Sequence, residues 1–125
     1  KYSGIIPILL TNLKRKRKTL IYGGSQTRDF INVEDVVEIS IMLLNYATKK
    51  KLNEIFNVGT GKQISVLNLY KTIKNMTKNK NKFVKKNYKK GDPKISRGTF
   101  KKIRKKILPK NYNYISLDEG LKKLI

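Results

Sequence analysis

Cysteine, histidine and tryptophan do not occur in these 125 residues, and proline occurs three times. Without cysteine there is no disulfide frame, no thiolate metal site and no thiol nucleophile. Without histidine the commonest metal ligand and the commonest general base are excluded as well. Chemistry on this chain falls to carboxylates, Tyr, Lys, Ser or a bound cofactor. Acidic residues are few: 8 Asp and Glu stand against 30 Lys and Arg, for a net charge of +22. Long apolar runs are missing too. The longest, Gly4 to Leu10, is far shorter than a membrane span. The basic cluster Lys14 to Lys18 follows that run, whereas a secretory signal places its positive charge first. In composition the cluster suits a nuclear signal. Its simpler reading is a solvated helix end, where positive charge complements the helix dipole.

The charge is the strongest compositional feature, and alone it points to nucleic acid or an anionic membrane surface. Its makeup argues otherwise. It comes from 25 Lys and 5 Arg, in a chain also rich in Asn and Ile. Lys, Asn and Ile share A/T-rich codons, so a biased genome is enough to yield this balance without selection for DNA binding, and both sources of the charge stay open. At 125 residues and 38% apolar content, the chain makes one domain with a modest core. It begins at Lys1, which suggests a piece of a longer protein.

Periodicity and punctuation predict the elements. Residues 3 to 16 form a helix capped by Ser3, with Ile5, Ile6, Leu9, Leu10 and Leu13 on one face and Pro7 in the first turn. Thr19 to Tyr22 is a short strand, Gly23-Gly24-Ser25 a turn, and Phe30 to Val33 a second strand. A helix from about Glu34 to Thr48 carries acids in its first turns and a wide apolar stripe, so it is expected to be mostly buried. Lys49-Lys50-Lys51 ends it. Glu54 to Val58 reads as a compact strand buried on both faces, as in a parallel sheet. The sheet partners it needs are missing from the chain. Ile64 to Lys78 is a helix capped by Ser65, with Val66, Leu69, Tyr70, Ile73 and Met76 on one face. A weak strand at Lys82 to Lys86, a turn at Gly91-Asp92-Pro93 and a basic helix from about Arg97 to Ile107 follow. Pro109 stops that helix, and Ser116 caps a last one over Leu117 to Leu124. The order is that of an α/β fold with too few strands to close a sheet alone.

Several short motifs carry little by themselves. Gly59-Thr60-Gly61-Lys62 is followed by Gln63, so it lacks the spacing and the Lys-Ser/Thr pair of a phosphate loop. It reads as a strand-to-helix turn. Tyr46 with Lys50 and Tyr70 with Lys74 match Tyr-x-x-x-Lys, but seven Tyr among so many Lys give about 1.4 such pairs by chance. Lys89-Lys90-Gly91-Asp92 would suit a phosphate with an acid for a hydroxyl, and it suits an ordinary solvated loop equally well.

Taken together and in order, the pieces resemble one family. Tyr2-Ser-Gly-Ile-Ile-Pro7, Leu20-Ile-Tyr-Gly-Gly-Ser-Gln-Thr-Arg-Asp-Phe-Ile-Asn-Val-Glu-Asp-Val-Val37, Ile55-Phe-Asn-Val-Gly-Thr-Gly61, Gly91-Asp92-Pro93 and Ser116-Leu-Asp-Glu-Gly-Leu121 resemble the C-terminal half of extended short-chain dehydrogenases. These are NAD-dependent nucleotide-sugar epimerases and dehydratases, and the likeness is greatest to UDP-glucose and UDP-N-acetylglucosamine 4-epimerases. The resemblance implies an α/β fold: the C-terminal substrate-binding portion of a Rossmann-type enzyme, with one strand of the parallel sheet and a small mixed subdomain.

The resemblance also implies roles. Leu20 and Tyr22 would flank the base, and Arg28 would pair with the diphosphate, to which a guanidinium is suited. Lys89 stands where a second diphosphate arginine is usual and keeps the charge without the bidentate fork. Asp92 would lie near the ribose, and Ser96 would line the sugar pocket, with Ile5 and Phe30 as outer walls. Three departures accompany the match. The turn at Tyr22 to Gln26 is one residue shorter than the family's, Thr99 replaces an Asp, and Pro109-Lys-Asn-Tyr-Asn replaces a glycine-aromatic segment.

The family's glycine-rich NAD turn has no counterpart here, and its Tyr-x-x-x-Lys lies upstream of every matched motif. No catalytic and no cofactor-binding residue is therefore expected in this chain. The whole of residues 1–125 is expected to be the nucleotide-sugar-binding region of a cytoplasmic epimerase. NAD would be bound by an N-terminal Rossmann part absent from the chain, and the full-length enzyme would be a homodimer. Two alternatives stand beside this reading: a basic nucleic-acid-binding module, and an inactive product of a split or decayed gene.

Overall fold

The computed structural model describes residues 4–50 and 53–125. The expected cap Ser3 and the helix-ending Lys51 lie outside them. Helix α1 (Ile5–Lys14) starts at Gly4 with no side-chain cap and buries Leu9 and Leu13, four residues apart on one face. Strand β1 (Thr19–Tyr22) follows, with Thr19 and Ile21 buried and Leu20 and Tyr22 outward. This is the alternation a strand imposes.

The next elements depart from expectation. The second strand is not Phe30 to Val33 but β2 (Thr27–Arg28). Its neighbours fix it: Thr27 N–H donates to Lys94 O, and Asp29 N–H to Ser96 O. Residues 30–32 lead into α2 (Val33–Lys49), capped by the Asn32 side chain, which accepts from Glu34 N–H. Helix α2 is not mostly buried. Asp35 and Ile39 are enclosed, while Val33, Val37, Ile41 and Leu44 are exposed.

Residues 54–58 do not form a strand. They keep the alternation of one, with Phe56 and Val58 half-buried and Ile55 and Asn57 exposed, but no ladder partner exists among the described residues. Strand β3 (Ile64–Ser65) precedes α3 (Val66–Met76), so the expected helix start at Ile64 is instead extended chain. Ser65 caps α3 as expected, accepting from Asn68 N–H. Strand β4 (Phe83–Lys86) and strand β5 (Ile95–Ser96) follow. The basic helix α4 (Lys101–Lys106) is shorter than the predicted Arg97 to Ile107. Helix α5 (Leu117–Lys122) opens on a complete capping box between Ser116 and Glu119.

Two small sheets result. Strands β1 and β4 pair in parallel, with Thr19 opposite Phe83 and Tyr22 opposite Lys86. Strand β2 is the centre of the other sheet, antiparallel to β3 and parallel to β5. Two apolar clusters hold the chain. One joins Leu9 and Leu13 of α1, Ile21 of β1, Leu69 and Ile73 of α3, and Leu121 of α5. The other centres on Ile39, Ile103 and Leu108, with Phe56, Val58 and Phe100 packed around them.

Candidate functional site

The glycine turn after β1 has both glycines at positive φ, Gly23 at 68° and Gly24 at 102°, a region open to glycine at little cost. Gln26 closes it. Its buried side chain accepts from Gly24 N–H at 2.6 Å through Oε1 and donates through Nε2 to Tyr22 O at 2.7 Å. The same Nε2 reaches Asp92 Oδ2 at 3.3 Å. The turn, β1 and the Gly91-Asp92-Pro93 loop are thereby one unit.

Arg28 sits at the other side of that unit. Its guanidinium donates to Thr27 O and Pro93 O, each at 2.8 Å, and to Asp92 Oδ1 at 2.5 Å. Both partners of the ion pair are partly exposed, with side chains 23% and 33% accessible. The pair is therefore open to a ligand rather than sealed in the core. In register, Arg28 faces Ser96 across the β2–β5 ladder. Lys89 lies over the ring of Tyr22, with Nζ 4.3 Å from its centroid, a cation–π contact. Leu20 is exposed on the same face of β1 as Tyr22.

The expected residues are thus neighbours. Tyr22 and Lys89 stack; Arg28 and Asp92 are paired; Ser96 is the ladder partner of Arg28; Leu20 continues the face of Tyr22. The arrangement offers an apolar strand face, then a guanidinium and an ammonium, then a carboxylate. Such a sequence of groups can hold a flat ring, a diphosphate and a hydroxyl-bearing sugar. Phe30 lines a separate cavity of about 360 Å³ between the start of α1 and α5. Ile5 does not line it; its neighbour Ile6 does. A basic cleft of about 870 Å³, lined by Lys85, Lys86 and Lys94, includes none of the six expected residues.

Three polar residues with structural work escaped the reading of the sequence. Gln26 is one. Asp29 is the second: its carboxylate accepts from Thr60 N–H at 3.2 Å, Thr60 Oγ1 at 2.5 Å and Gly61 N–H at 2.8 Å. This ties the Gly59-Thr60-Gly61 loop to β2. The loop amides point at Asp29, so they form no pyrophosphate cradle, and these residues do not fit the NAD phosphates. The third is Asp35, 2% exposed, which accepts from Ile115 N–H at 3.1 Å and from the Tyr112 hydroxyl at 3.0 Å. Burial, aided by Asp35, pushes the Tyr112 hydroxyl well above the usual tyrosine range. The only local sequence signal was, for Asp29, an acid next to an arginine and, for Asp35, an acid in a first helical turn; Gln26 gave none.

The two Tyr-x-x-x-Lys matches are structural. Tyr70 is buried and donates to Asn81 O at 2.8 Å, and burial raises its hydroxyl. Lys50 lies over the ring of Tyr46.

Comparison with known proteins gives relatives of the chain. Residues 1–59 match the model of the NAD dependent epimerase/dehydratase family. A Methanocaldococcus jannaschii protein provisionally assigned as a UDP-glucose 4-epimerase is 41% identical over 73 residues, 58% of this chain and 22% of that protein. The dTDP-D-glucose 4,6-dehydratase of Bos taurus is 40% identical over 78 residues, 62% of this chain and 21% of that one. The crystal structure of UDP-glucose 4-epimerase with UDP-glucose from Thermotoga maritima superposes with a TM-score of 0.82 at 33% identity. That match covers 98% of this chain and 38% of the other. The chain spans about a fifth of the length of the curated relatives it matches. Its α/β fold is that of part of a Rossmann-type extended short-chain dehydrogenase, and the chain is similar to NAD-dependent nucleotide-sugar epimerases and dehydratases, its first 59 residues matching that family.

Proposed function

We propose that this chain holds the nucleotide-sugar substrate of an NAD-dependent 4-epimerase, with a UDP-sugar as ligand. Leu20 and Tyr22 flank the base, Arg28 and Lys89 meet the diphosphate, Asp92 takes the ribose, and Ser96 borders the sugar. The observation that carries the reading is the contiguity of these six across β1, β2, β5 and the Lys89–Pro93 turn, with the Arg28–Asp92 pair at its centre and partly open to solvent. Holding both ends of the substrate fixes the sugar carbon for hydride removal and return. NAD supplies that redox step when bound, and a Rossmann part outside these residues is its place. The full-length enzyme is a homodimer in this reading. In keeping with it, the first expected outcome is negative. Purified chain supplied with NAD and UDP-sugars gives no epimerisation in a coupled assay; clear turnover would sink the assignment of the chemistry to another part.

A further inference from the structure

Helices α1 and α3 stop at the same end of the fold. The Asn79 side chain, just beyond α3, donates to Leu13 O in the last turn of α1 at 2.7 Å. Strands β1 and β4 then start side by side, with Thr19 opposite Phe83. The loops that lead into them, residues 15–18 and 77–82, are therefore neighbours, and both are basic. Residues 14–18 read Lys-Arg-Lys-Arg-Lys, and Lys71, Lys74, Lys78, Lys80 and Lys82 come from the second run. All are exposed except the half-buried Lys74. No Asp or Glu occurs in residues 1–28 or 55–91. Among the described residues, none of these cations has an ion-pair partner. Lys71, Lys74 and Lys82 also line a groove of about 410 Å³ with Tyr70 and Phe83.

A genome rich in A and T supplies lysine, but it does not explain where lysine stands here. Among the described residues, the non-glycine residues at positive φ are Lys16 at 52° and Lys78 at 49°. Both lie in this patch. That region is costly for a residue with a Cβ, and asparagine tolerates it better than lysine does. Lysine and asparagine codons are equally rich in A and T and differ at the third base alone. Base composition is thus satisfied by asparagine at both positions, with less strain. The helix dipole favours cations in a last turn, which covers Lys14 and Lys74 but not the loops beyond. Charge held at a conformational cost points to an anionic partner.

We propose that this end of the fold binds nucleic acid through the phosphates of its backbone. Ammonium and guanidinium groups make the contact, so it holds the backbone without reading bases. An anionic membrane is a poorer match, because segments 14–18 and 71–82 expose no large apolar side chain to enter a bilayer. The patch is separate from the candidate substrate site. Tyr22 and the glycine turn lie at the exit of the four-residue strand β1, roughly 10 Å from its entry.

The test is fluorescence anisotropy of the purified chain with a labelled single-stranded oligonucleotide and with its duplex, across a salt series. Lys16→Asn with Lys78→Asn removes two charges and relieves both strained positions. At about 150 mM salt this pair is expected to weaken binding of the preferred form at least tenfold, with the log–log salt slope reduced by about two. Its melting temperature is expected to hold or rise, so that lost binding is not lost fold. Arg15→Gln with Lys80→Gln, at unstrained positions of the same patch, should weaken binding in the same way. Lys101→Gln with Lys105→Gln removes equal charge from the exposed face of α4 and should change affinity less than twofold. Equal losses in the patch and α4 pairs would reduce the effect to overall charge and overturn the proposal. So would failure of either form to bind, or tighter binding to phosphatidylserine vesicles than to nucleic acid. Displacement of the oligonucleotide by UDP would put it at the candidate substrate site and overturn the proposal as well.

Discussion

Arg28 already makes three hydrogen bonds to protein acceptors, which leaves part of its five-donor fork free for a ligand. The Asp92 carboxylate fixes the plane of that fork, and Gln26 links Asp92 to the backbone of Tyr22. The position of the guanidinium is therefore set by the shortened glycine turn, through Gln26. Elsewhere single carboxylates do comparable work inside the fold. Asp35 is enclosed on the inner face of the first turn of α2 and holds the 112–115 segment through Ile115 N–H and the Tyr112 hydroxyl. Removing a buried charged acceptor strands its donors. Asp35→Ala is expected to lower stability by about 2–3 kcal/mol, read as a shift in urea midpoint; a change below measurement error would show that the Tyr112–Asp35 contact is incidental.

Among the elements, the Gly59–Gly61 loop is the most constrained. A Cβ on Gly61 would lie 1.9 Å from the Phe100 ring, and the residue has φ +74°. Gly61→Ala is therefore expected to destabilise the chain by more than the ~1–2 kcal/mol of the backbone penalty alone. Adding Phe100→Ala should lessen the clash component without removing the backbone one. Additive losses in the double variant, measured by thermal melting, would contradict this. The loop also shows what the sequence did and did not disclose. Helices α1 and α3 and strand β1 were legible because each has a periodic apolar face, and α3 and α5 from their serine caps; β4 read only as a weak strand, because just Phe83 of its four residues is half-buried. Strand β2 was misplaced because two residues carry no periodicity, and its partners lie far along the chain in β3 and β5. Segment 54–58 has a strand's pattern and forms no ladder, because a strand needs a neighbour as well as a pattern. The apolar content of α2 was read as burial, yet half of it faces outward. The six expected residues came from the family resemblance, whereas the bonds from Gln26 to Asp92, from Asp29 to Thr60 and from Asp35 to Tyr112 span distances along the chain that local pattern does not reveal.

At the scale of the whole molecule, carboxylate charge shapes how stability changes with pH. Glu54 bonds both Lys102 and Lys106, bridging the 53–58 segment to α4, and those ammonium groups hold its carboxyl below the usual 4.5. Glu119 is lowered likewise by its bonds to Ser116 in the α5 capping box. A carboxylate with a depressed folded value contributes stability that is present above the unfolded value and is lost as pH falls through the folded one. Melting temperature is thus expected to decline below about pH 4.5, as each protonation also adds to a charge of +22. Glu54→Gln should flatten part of that decline; an unchanged acid limb would remove Glu54 from the account. No described helix is long and apolar enough to cross a membrane.

The most direct measurement is a calorimetric titration of UDP into the purified, folded chain, repeated with Arg28→Ala and with uridine. The account predicts saturable UDP binding, weakened at least tenfold, about 1.4 kcal/mol, by Arg28→Ala and weaker still for uridine, which lacks the diphosphate. It would be contradicted if UDP binding were indifferent to Arg28, or if UDP failed to bind while DNA bound tightly at physiological salt with a steep salt dependence.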